Sequence, residues 1–292
     1  MYPAPFEYFS PRTVAEALEL LARHGEDAKI LAGGQSLLPM MKLRIASPRY
    51  LIDVNRVEGL SGLRREGDRL VIGALCRHAE IAASPIVRTH LPLMLDAARQ
   101  TADVQVRNRG TVAGSLAHAD PAGDWPAALM ALDTTVTIAG QAGSHVLPLA
   151  DFIVDAYTTR LEPGEMLTEV SVRLPSPPGA GAYLKFEKRA GDFAVASVGV
   201  QVATDGDACR SVAVSLGAVG ATPIRARAAE TLLQSKRLAP DVLDEAARLV
   251  REAADPFQDT RGSVEYKRHL AGVLFRKAIA TAVERARSAD RR

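Results

Sequence analysis

Two short glycine-bearing stretches hold the chemical potential of this chain. The first, Ala32-Gly33-Gly34-Gln35-Ser36, follows Lys29-Ile30-Leu31 and runs into Leu37-Leu38-Pro39-Met40-Met41-Lys42-Leu43. Lys29 to Ala32 reads as a short buried strand, and the segment from Ser36 as the start of a short helix. A pyrophosphate needs backbone N–H donors aimed at it and room for close approach, and Gly-Gly between a strand and a helix N-terminus supplies both. The Ser36 hydroxyl is available to a phosphate oxygen. Alone, such a turn is more often structural than functional. What adds weight is a second loop of similar chemistry, Gly110-Thr111-Val112-Ala113-Gly114-Ser115, with Asp124 beyond it. Two such loops on separate small units can close on one dinucleotide from both sides. No Gly-x-Gly-x-x-Gly follows a strand and no Gly-Lys-Ser or Gly-Lys-Thr occurs, so neither a Rossmann site nor a P-loop is expected. A different nucleotide fold is required.

Other chemically tempting residues read more plainly. His118 and Asp120 lack a third ligand at a usable spacing, so they read as polar loop groups and no metal is assigned. Cys76 and Cys209 lie far apart, outside any Cys-x-x-Cys spacing, and read as inert small residues. Trp125, the single tryptophan, reads as packing at a helix start; Asp96 and Asp103 read as solvated. No residue is assigned a catalytic role.

The elements that must position the two loops emerge from periodicity. Val14, Ala17, Leu18 and Leu21 recur at helical spacing before a stop at Gly25. Strands are expected at Tyr50 to Val54, Arg69 to Ala74 and Met166 to Leu174, a hairpin-like pair at Thr134–Ala139 and His145–Leu149, and a helix at Asp124 to Leu132. Pro175-Ser176-Pro177-Pro178-Gly179-Ala180-Gly181 is the clearest linker. Beyond it come strands near 183–188, 194–203 and 210–219, then helical patterns near 224–234, 239–254 and 262–286. The expected units are 1–57, too small for a good core unless it docks on the next unit, then 58–175 and 176–292.

Composition narrows the function classes. Lys plus Arg number 36 against 34 for Asp plus Glu, which is no basic nucleic-acid footprint; the Arg-rich stretch 285–292 reads as a fraying helix end and solvated tail. Two cysteines in the whole chain exclude a four-cysteine iron–sulfur site within it and suit a reducing compartment. No stretch approaches the roughly twenty apolar residues that span a bilayer, and the start at Met1-Tyr2-Pro3 shows no secretory signal. A cytoplasmic location is expected.

The first loop with its continuation, Ala32 to Arg44, and the second, Gln105-Val106-Arg107-Asn108-Arg109-Gly110-Thr111-Val112-Ala113-Gly114-Ser115-Leu116-Ala117-His118-Ala119-Asp120-Pro121, closely resemble the FAD loops of a known family. It comprises the flavoprotein (medium) subunits of molybdenum hydroxylases of the xanthine dehydrogenase and carbon monoxide dehydrogenase type. The resemblance continues through Gly164 to Val170, Phe186-Glu187-Lys188-Arg189 and the terminal helix around Tyr266 to Leu270, spanning essentially the whole chain. It implies an α+β fold: a two-part FAD-binding α/β domain of the PCMH type, then a C-terminal α+β domain with a three-stranded antiparallel sheet and helices. It also implies that Lys29, Ile30, Leu31, Ala32, Gly33, Gly34, Gln35, Ser36 and Leu37, together with Gly110, Thr111, Ala113, Gly114 and Ser115, wrap the FAD pyrophosphate and ribityl region. Asp124 would accept hydrogen bonds from a ribityl or ribose hydroxyl. Thr101, Leu167 and Lys185 fall where the family places further FAD contacts, and a Lys185 cation near the flavin pyrimidine edge would stabilise the anionic reduced form.

Two departures stand out. Where the family has two glycines, this chain has Ala113-Gly114; a negative φ at Ala113, with its methyl turned from the cofactor, is expected. Phe193 stands where some relatives carry Tyr near the flavin ring. By the resemblance, a molybdopterin-binding large subunit oxidises a small substrate and a [2Fe-2S] small subunit relays electrons. FAD held here passes them to a terminal acceptor, in a dimerised heterotrimer. The alternatives are a self-contained flavin oxidoreductase resembling UDP-N-acetylenolpyruvoylglucosamine reductase, and a flavin-free scaffold subunit.

Overall fold

The computed structural model describes residues 2–175 and 180–289; Ser176 to Gly179 of the expected linker and the last three residues of the expected tail lie outside the described residues. The chain begins with β1 (Glu7–Phe9), α1 (Val14–His24), β2 (Ala28–Leu31), α2 (Leu37–Lys42) and β3 (Tyr50–Asp53). Thr13 opens α1 by accepting the Glu16 N–H at 3.1 Å, and Gly25 ends it at φ +53°, a conformation that suits glycine. Between those caps Ala17, Leu18 and Leu21 are buried. β1, β3 and β2 pair in that order, all parallel. The core beneath this small sheet is completed by Leu60, Leu75, Ala139 and Met166 from the next segment, so the first 57 residues bury their apolar face by docking on that segment. Each fully buried Leu there contributes about 1.5–3 kcal/mol.

The next elements are β4 (Leu63–Glu66), β5 (Arg69–Gly73), α3 (His78–Ala83), α4 (Pro85–His90), α5 (Pro92–Gln100), α6 (Val104–Arg107), α7 (Val112–His118), α8 (Asp124–Met130), β6 (Thr134–Gly140), β7 (Gly143–Pro148), α9 (Leu149–Phe152), β8 (Ile153–Asp155), β9 (Thr158–Thr159) and β10 (Met166–Arg173). A five-stranded antiparallel sheet orders them β4-β5-β10-β6-β7. No sequence pattern announces β4: Arg64, Arg65 and Glu66 are exposed, and a charged edge strand shows no apolar alternation, although charge is how such edges avoid further pairing.

The last third contains β11 (Ala180–Phe186), β12 (Ala196–Asp205), β13 (Ala208–Gly217), β14 (Ile224–Arg225), α10 (Arg227–Leu233), α11 (Pro240–Ala253) and α12 (Val264–Ala289). The three expected strands are joined at the edge by β14, whose Ile224 and Arg225 pair with Leu216 and Ser215. Periodicity places those two residues in a helix, which in fact starts at Arg227 once Glu230 has taken the Arg225 guanidinium at 2.7 Å. β12 is covered on both faces, and period two decides by what. Ala196, Val198, Val200 and Val202 share a core with Leu270, Leu274 and Phe275 of α12. Gly199 faces the other way, where an added Cβ would lie 3.4 Å from the Ala131 Cβ just past α8. Ser215 Oγ donates to the Ala127 carbonyl of α8 at 2.6 Å. Small residues therefore let α8 lie close on the sheet, which brings Asp124 at its start up to β11. Asp96, expected to be solvated, instead takes both Nη atoms of Arg285 at 2.6 and 3.0 Å and fastens α5 to α12; a partner 189 residues away leaves no local trace. Among the described residues no helix is long and apolar enough to cross a membrane.

Candidate cofactor site

A cleft of about 1120 Å³ runs between the parallel sheet, the antiparallel sheet and the start of the C-terminal segment. Its walls bring together Lys29, Ile30, Ala32, Gly33, Gly34, Gln35, Ser36, Leu37, Thr101, Gly110, Thr111, Ala113, Gly114, Ser115, Asp124 and Leu167. Two residues from the same expectation stand elsewhere. Leu31 packs under the first loop, its Cδ1 3.0 Å from where a Gly34 Cβ would be. Lys185 is enclosed behind Asp124, with its side chain 2% exposed.

The two glycine loops touch. A Cβ on Gly33 would fall 2.4 Å from the Arg109 carbonyl oxygen and 2.7 Å from the Gly110 Cα, both backbone atoms of the second loop. Gly34 takes φ +75°, turning the chain from β2 into α2. On the opposite side Thr111 caps α7, its hydroxyl accepting the Gly114 N–H at 3.1 Å. Ala113 lies within α7 and is not among the residues with positive φ, so the departure from a glycine pair carries no backbone strain. In α2 the Leu38 N–H donates to the Gly34 carbonyl at 3.1 Å and Pro39 has no N–H, so that helix offers fewer free donors than α7, whose first-turn residues Ala113 and Gly114 line the cleft.

A polar clamp that sequence reasoning misses fixes the spacing of the loops. Asn55 Nδ2 donates to the Ala32 carbonyl at 2.9 Å; Arg77 in turn donates to Asn55 Oδ1 and, through its other Nη, to the Arg109 carbonyl. Burial and the neighbouring Arg109 pull the Arg77 pKa below its ordinary value. Only a cation three residues after a strand marks Arg77 in the sequence, and nothing marks Asn55.

The far wall is a buried ionic group. Asp124 accepts from the Tyr183 hydroxyl at 2.8 Å and from Lys185 Nζ at 3.3 Å; Nζ also reaches Glu187 at 3.1 Å and donates to the Asp192 carbonyl at 3.0 Å. Burial raises the Asp124 pKa, opposed by the Lys185 charge. Beside it His78 stacks on Trp125 with centroids 5.4 Å apart. His78 Nδ1 and Trp125 Nε1 are buried without a protein partner. Ala102 holds the strained φ of +43° in the same wall, its carbonyl and that of Thr101 both taken by Arg107. Leu167 stands at a register shift in β10. Cys76 and Cys209 are buried, their thiols pushed up to about 12 and about 11 by burial, which keeps them from acting as nucleophiles near neutrality. Among the described residues no group of three His, Cys, Asp or Glu could hold a metal.

His78 gives a pH prediction. Burial, then Arg77 and Arg107, push its pKa down from 6.5 to about 4. Between those values the unfolded chain binds a proton that the folded chain refuses, so stability falls as pH drops through that window. His78→Phe keeps the stack on Trp125 and cannot titrate. Measured by urea unfolding, it should gain about 2 kcal/mol relative to wild type between pH 7.5 and 4.5; parallel pH profiles would contradict this.

A sequence model described as the FAD binding domain in molybdopterin dehydrogenase matches residues 4–177, and one for the CO dehydrogenase flavoprotein C-terminal domain matches 181–282. The chain belongs to this flavoprotein family. It is 38% identical to the carbon monoxide dehydrogenase medium chain of Hydrogenophaga pseudoflava over 96% of this chain and 97% of that one. With the glyceraldehyde dehydrogenase medium chain of Sulfolobus acidocaldarius the figures are 37%, 96% and 99%. In three dimensions it matches a chain of the H. pseudoflava carbon monoxide dehydrogenase that lacks the Mo-pyranopterin moiety of its molybdenum cofactor. That match has a TM-score of 0.95 at 40% identity, covering 98% and 99% of the two chains. The fold is thus the mixed α/β arrangement of a medium chain, its cofactor is FAD, and it is an oxidoreductase subunit. The cleft fits that cofactor by its own features: two glycine-bearing loops that touch through their backbones, both lining it, and two unpartnered buried nitrogens in the wall.

Proposed function

We propose that this medium chain holds FAD in the cleft between its two glycine loops and, within a complex, passes electrons from an iron–sulfur partner to a terminal acceptor. A large molybdopterin-binding partner would carry out substrate oxidation. The observation that carries the reading is the closure of Gly33 on Arg109 and Gly110, which makes one clamp from two loops 76 residues apart in sequence, from 33 to 109. In this reading the loops Lys29–Leu37 and Gly110–Ser115 bind the pyrophosphate and ribityl region, with Thr101 and Leu167 completing the walls. Asp124 accepts a hydroxyl, and Lys185 orients Asp124 and opposes the rise that burial gives its pKa. Bound FAD supplies the exchange between one-electron and two-electron transfer, so the protein's own work is binding, orientation and exclusion of water.

Relatives named for carbon monoxide and for glyceraldehyde stand at nearly the same identity to this chain, which supports a substrate site on another subunit. We further propose three units, 1–57, 58–175 and 176–292, the last beginning in the Pro-Gly linker, and a cytoplasmic location, for which two buried free thiols speak. Mixing the FAD-loaded chain anaerobically with its reduced iron–sulfur partner should bleach the flavin absorbance in step with partner oxidation. Flavin that stays oxidised while the partner stays reduced would reject the electron-transfer role.

A further inference from the structure

Each loop of the cleft is tied down at the carbonyl directly before its glycine. Asn55 Nδ2 donates to the Ala32 carbonyl, before Gly33, and Arg77 donates to the Arg109 carbonyl, before Gly110. The two ties meet at one amide, because the other Nη of Arg77 donates to Asn55 Oδ1. A carboxylate stands behind that amide. Asp53, the last residue of β3, accepts through Oδ1 from the Asn55 backbone N–H at 2.9 Å and from Asn55 Nδ2 at 2.6 Å. Through Oδ2 it accepts from the Tyr8 hydroxyl at 2.6 Å. The backbone bond caps a single 3-10 turn, Val54–Arg56; the bond from Nδ2 has no part in that turn and sets how the Asn55 side chain lies.

An asparagine amide has ends of opposite hydrogen-bonding character and two orientations that differ by a half-turn. In the observed one the NH2 group meets two acceptors, Asp53 Oδ1 and the Ala32 carbonyl, and the oxygen meets the Arg77 guanidinium. Turned over, the amide would set its oxygen against both acceptors and its NH2 against the guanidinium, and all three bonds would be lost together. A carboxylate only accepts, so it admits one orientation. Burial works to raise the Asp53 pKa, but the hydrogen bonds from Tyr8 and Asn55 outweigh it and hold the group below its ordinary value of 3.8. Asp53 is therefore ionised near neutrality. We infer that Asp53 is a positioning residue of the cofactor cleft: it fixes the Asn55 amide in the one orientation that ties the Gly33 loop, through Arg77, to the Gly110 loop. The inference rests on the reading of the cleft as the FAD site and adds to it a residue outside the cleft lining that sets how the loops are spaced.

The test is fluorescence titration of the purified chain with FAD, comparing wild type with Asp53→Asn, Asp53→Ser, Asn55→Ala and the Asp53→Ser, Asn55→Ala double variant. Asp53→Asn can keep every bond, its oxygen facing Asn55 and its NH2 facing the oxygen of the Tyr8 hydroxyl, so FAD affinity should stay within about threefold of wild type. A serine hydroxyl is one bond shorter: it caps the turn but falls short of Asn55 Nδ2. Asp53→Ser should therefore fold as wild type does and bind FAD about tenfold more weakly. Asn55→Ala should lose about tenfold or more, and the double variant should be no weaker than Asn55→Ala alone, because Asp53 acts only through that amide. Equal FAD affinity in Asp53→Ser and wild type overturns the assignment. Losses that multiply in the double variant overturn it as well, as does an Asp53→Asn variant no better than Asp53→Ser, which would put charge in the place of orientation. A wild-type chain that binds no FAD would instead sink the parent reading, and the assignment with it.

Discussion

Gly33→Val should abolish FAD retention. The added side chain meets backbone, not a movable side chain: the Arg109 carbonyl oxygen at 2.4 Å and the Gly110 Cα at 2.7 Å from the Cβ alone. The two loops must part, and by the proposed reading they then no longer share one pyrophosphate. A parting that removes one of the two sets of donors weakens binding about a hundredfold, about 3 kcal/mol, while overpacking costs the fold about 1–3 kcal/mol. Gly34→Ala is the control. Its strain at φ +75° costs about 1–2 kcal/mol but brings the new methyl only against Leu31 and Leu38 side chains, so FAD binding should suffer far less. Flavin content and a fluorescence titration measure both. Equal FAD affinity in Gly33→Val and wild type would show that the loops need not touch.

The second large effect belongs to Lys185→Met. Lys185 is the cation that meets Asp124 and Glu187 in a wall where its own side chain is 2% exposed. Removing one partner of a buried pair leaves an uncompensated charge, at a cost of about 3–5 kcal/mol. The pH dependence has a definite sign. Asp124 already has a raised pKa because of burial, against the opposing charge of Lys185. Without that charge the pKa rises further, so the folded variant holds a proton that the unfolded chain has released. Its stability deficit is therefore small below the ordinary carboxylate value of 3.8 and grows as pH rises above it. Adding Asp124→Asn should recover much of the stability at neutral pH without restoring FAD affinity. A Lys185→Met deficit that is flat with pH, or unrelieved by Asp124→Asn, would place the role of Lys185 elsewhere.

What the sequence discloses and what it hides divide along physical lines. The glycine loops are legible because a Gly-Gly pair between a strand and a helix stands out in the sequence; Gly34 answers to local geometry at φ +75°, Gly33 to the distant second loop, and the structure puts both loops on one cleft. The alternating strands β6, β10, β12 and β13 are legible because one face or both are buried. β4 is not, since an exposed edge made of Arg64, Arg65 and Glu66 alternates nothing. The Asn55–Arg77 clamp and the Asp96–Arg285 pair are hidden for a different reason: each joins residues distant in sequence, and only the packing of the sheets makes them neighbours. Lys185 shows both sides. The resemblance singles it out, but its position behind Asp124 depends on how α8 lies on β11 and β12, which Ser215 and Gly199 help to set.

The central claim, one dinucleotide held by two loops, is tested most directly by the flavin content of the purified chain, with equilibrium titrations against FAD and FMN. Both loops are assigned to the pyrophosphate and its neighbours, so one FAD per chain is expected, and FMN should bind at least about a hundredfold more weakly, because it lacks the pyrophosphate and adenosine that the clamp would hold. Equal affinity for FMN, or no flavin bound under any condition, would contradict it.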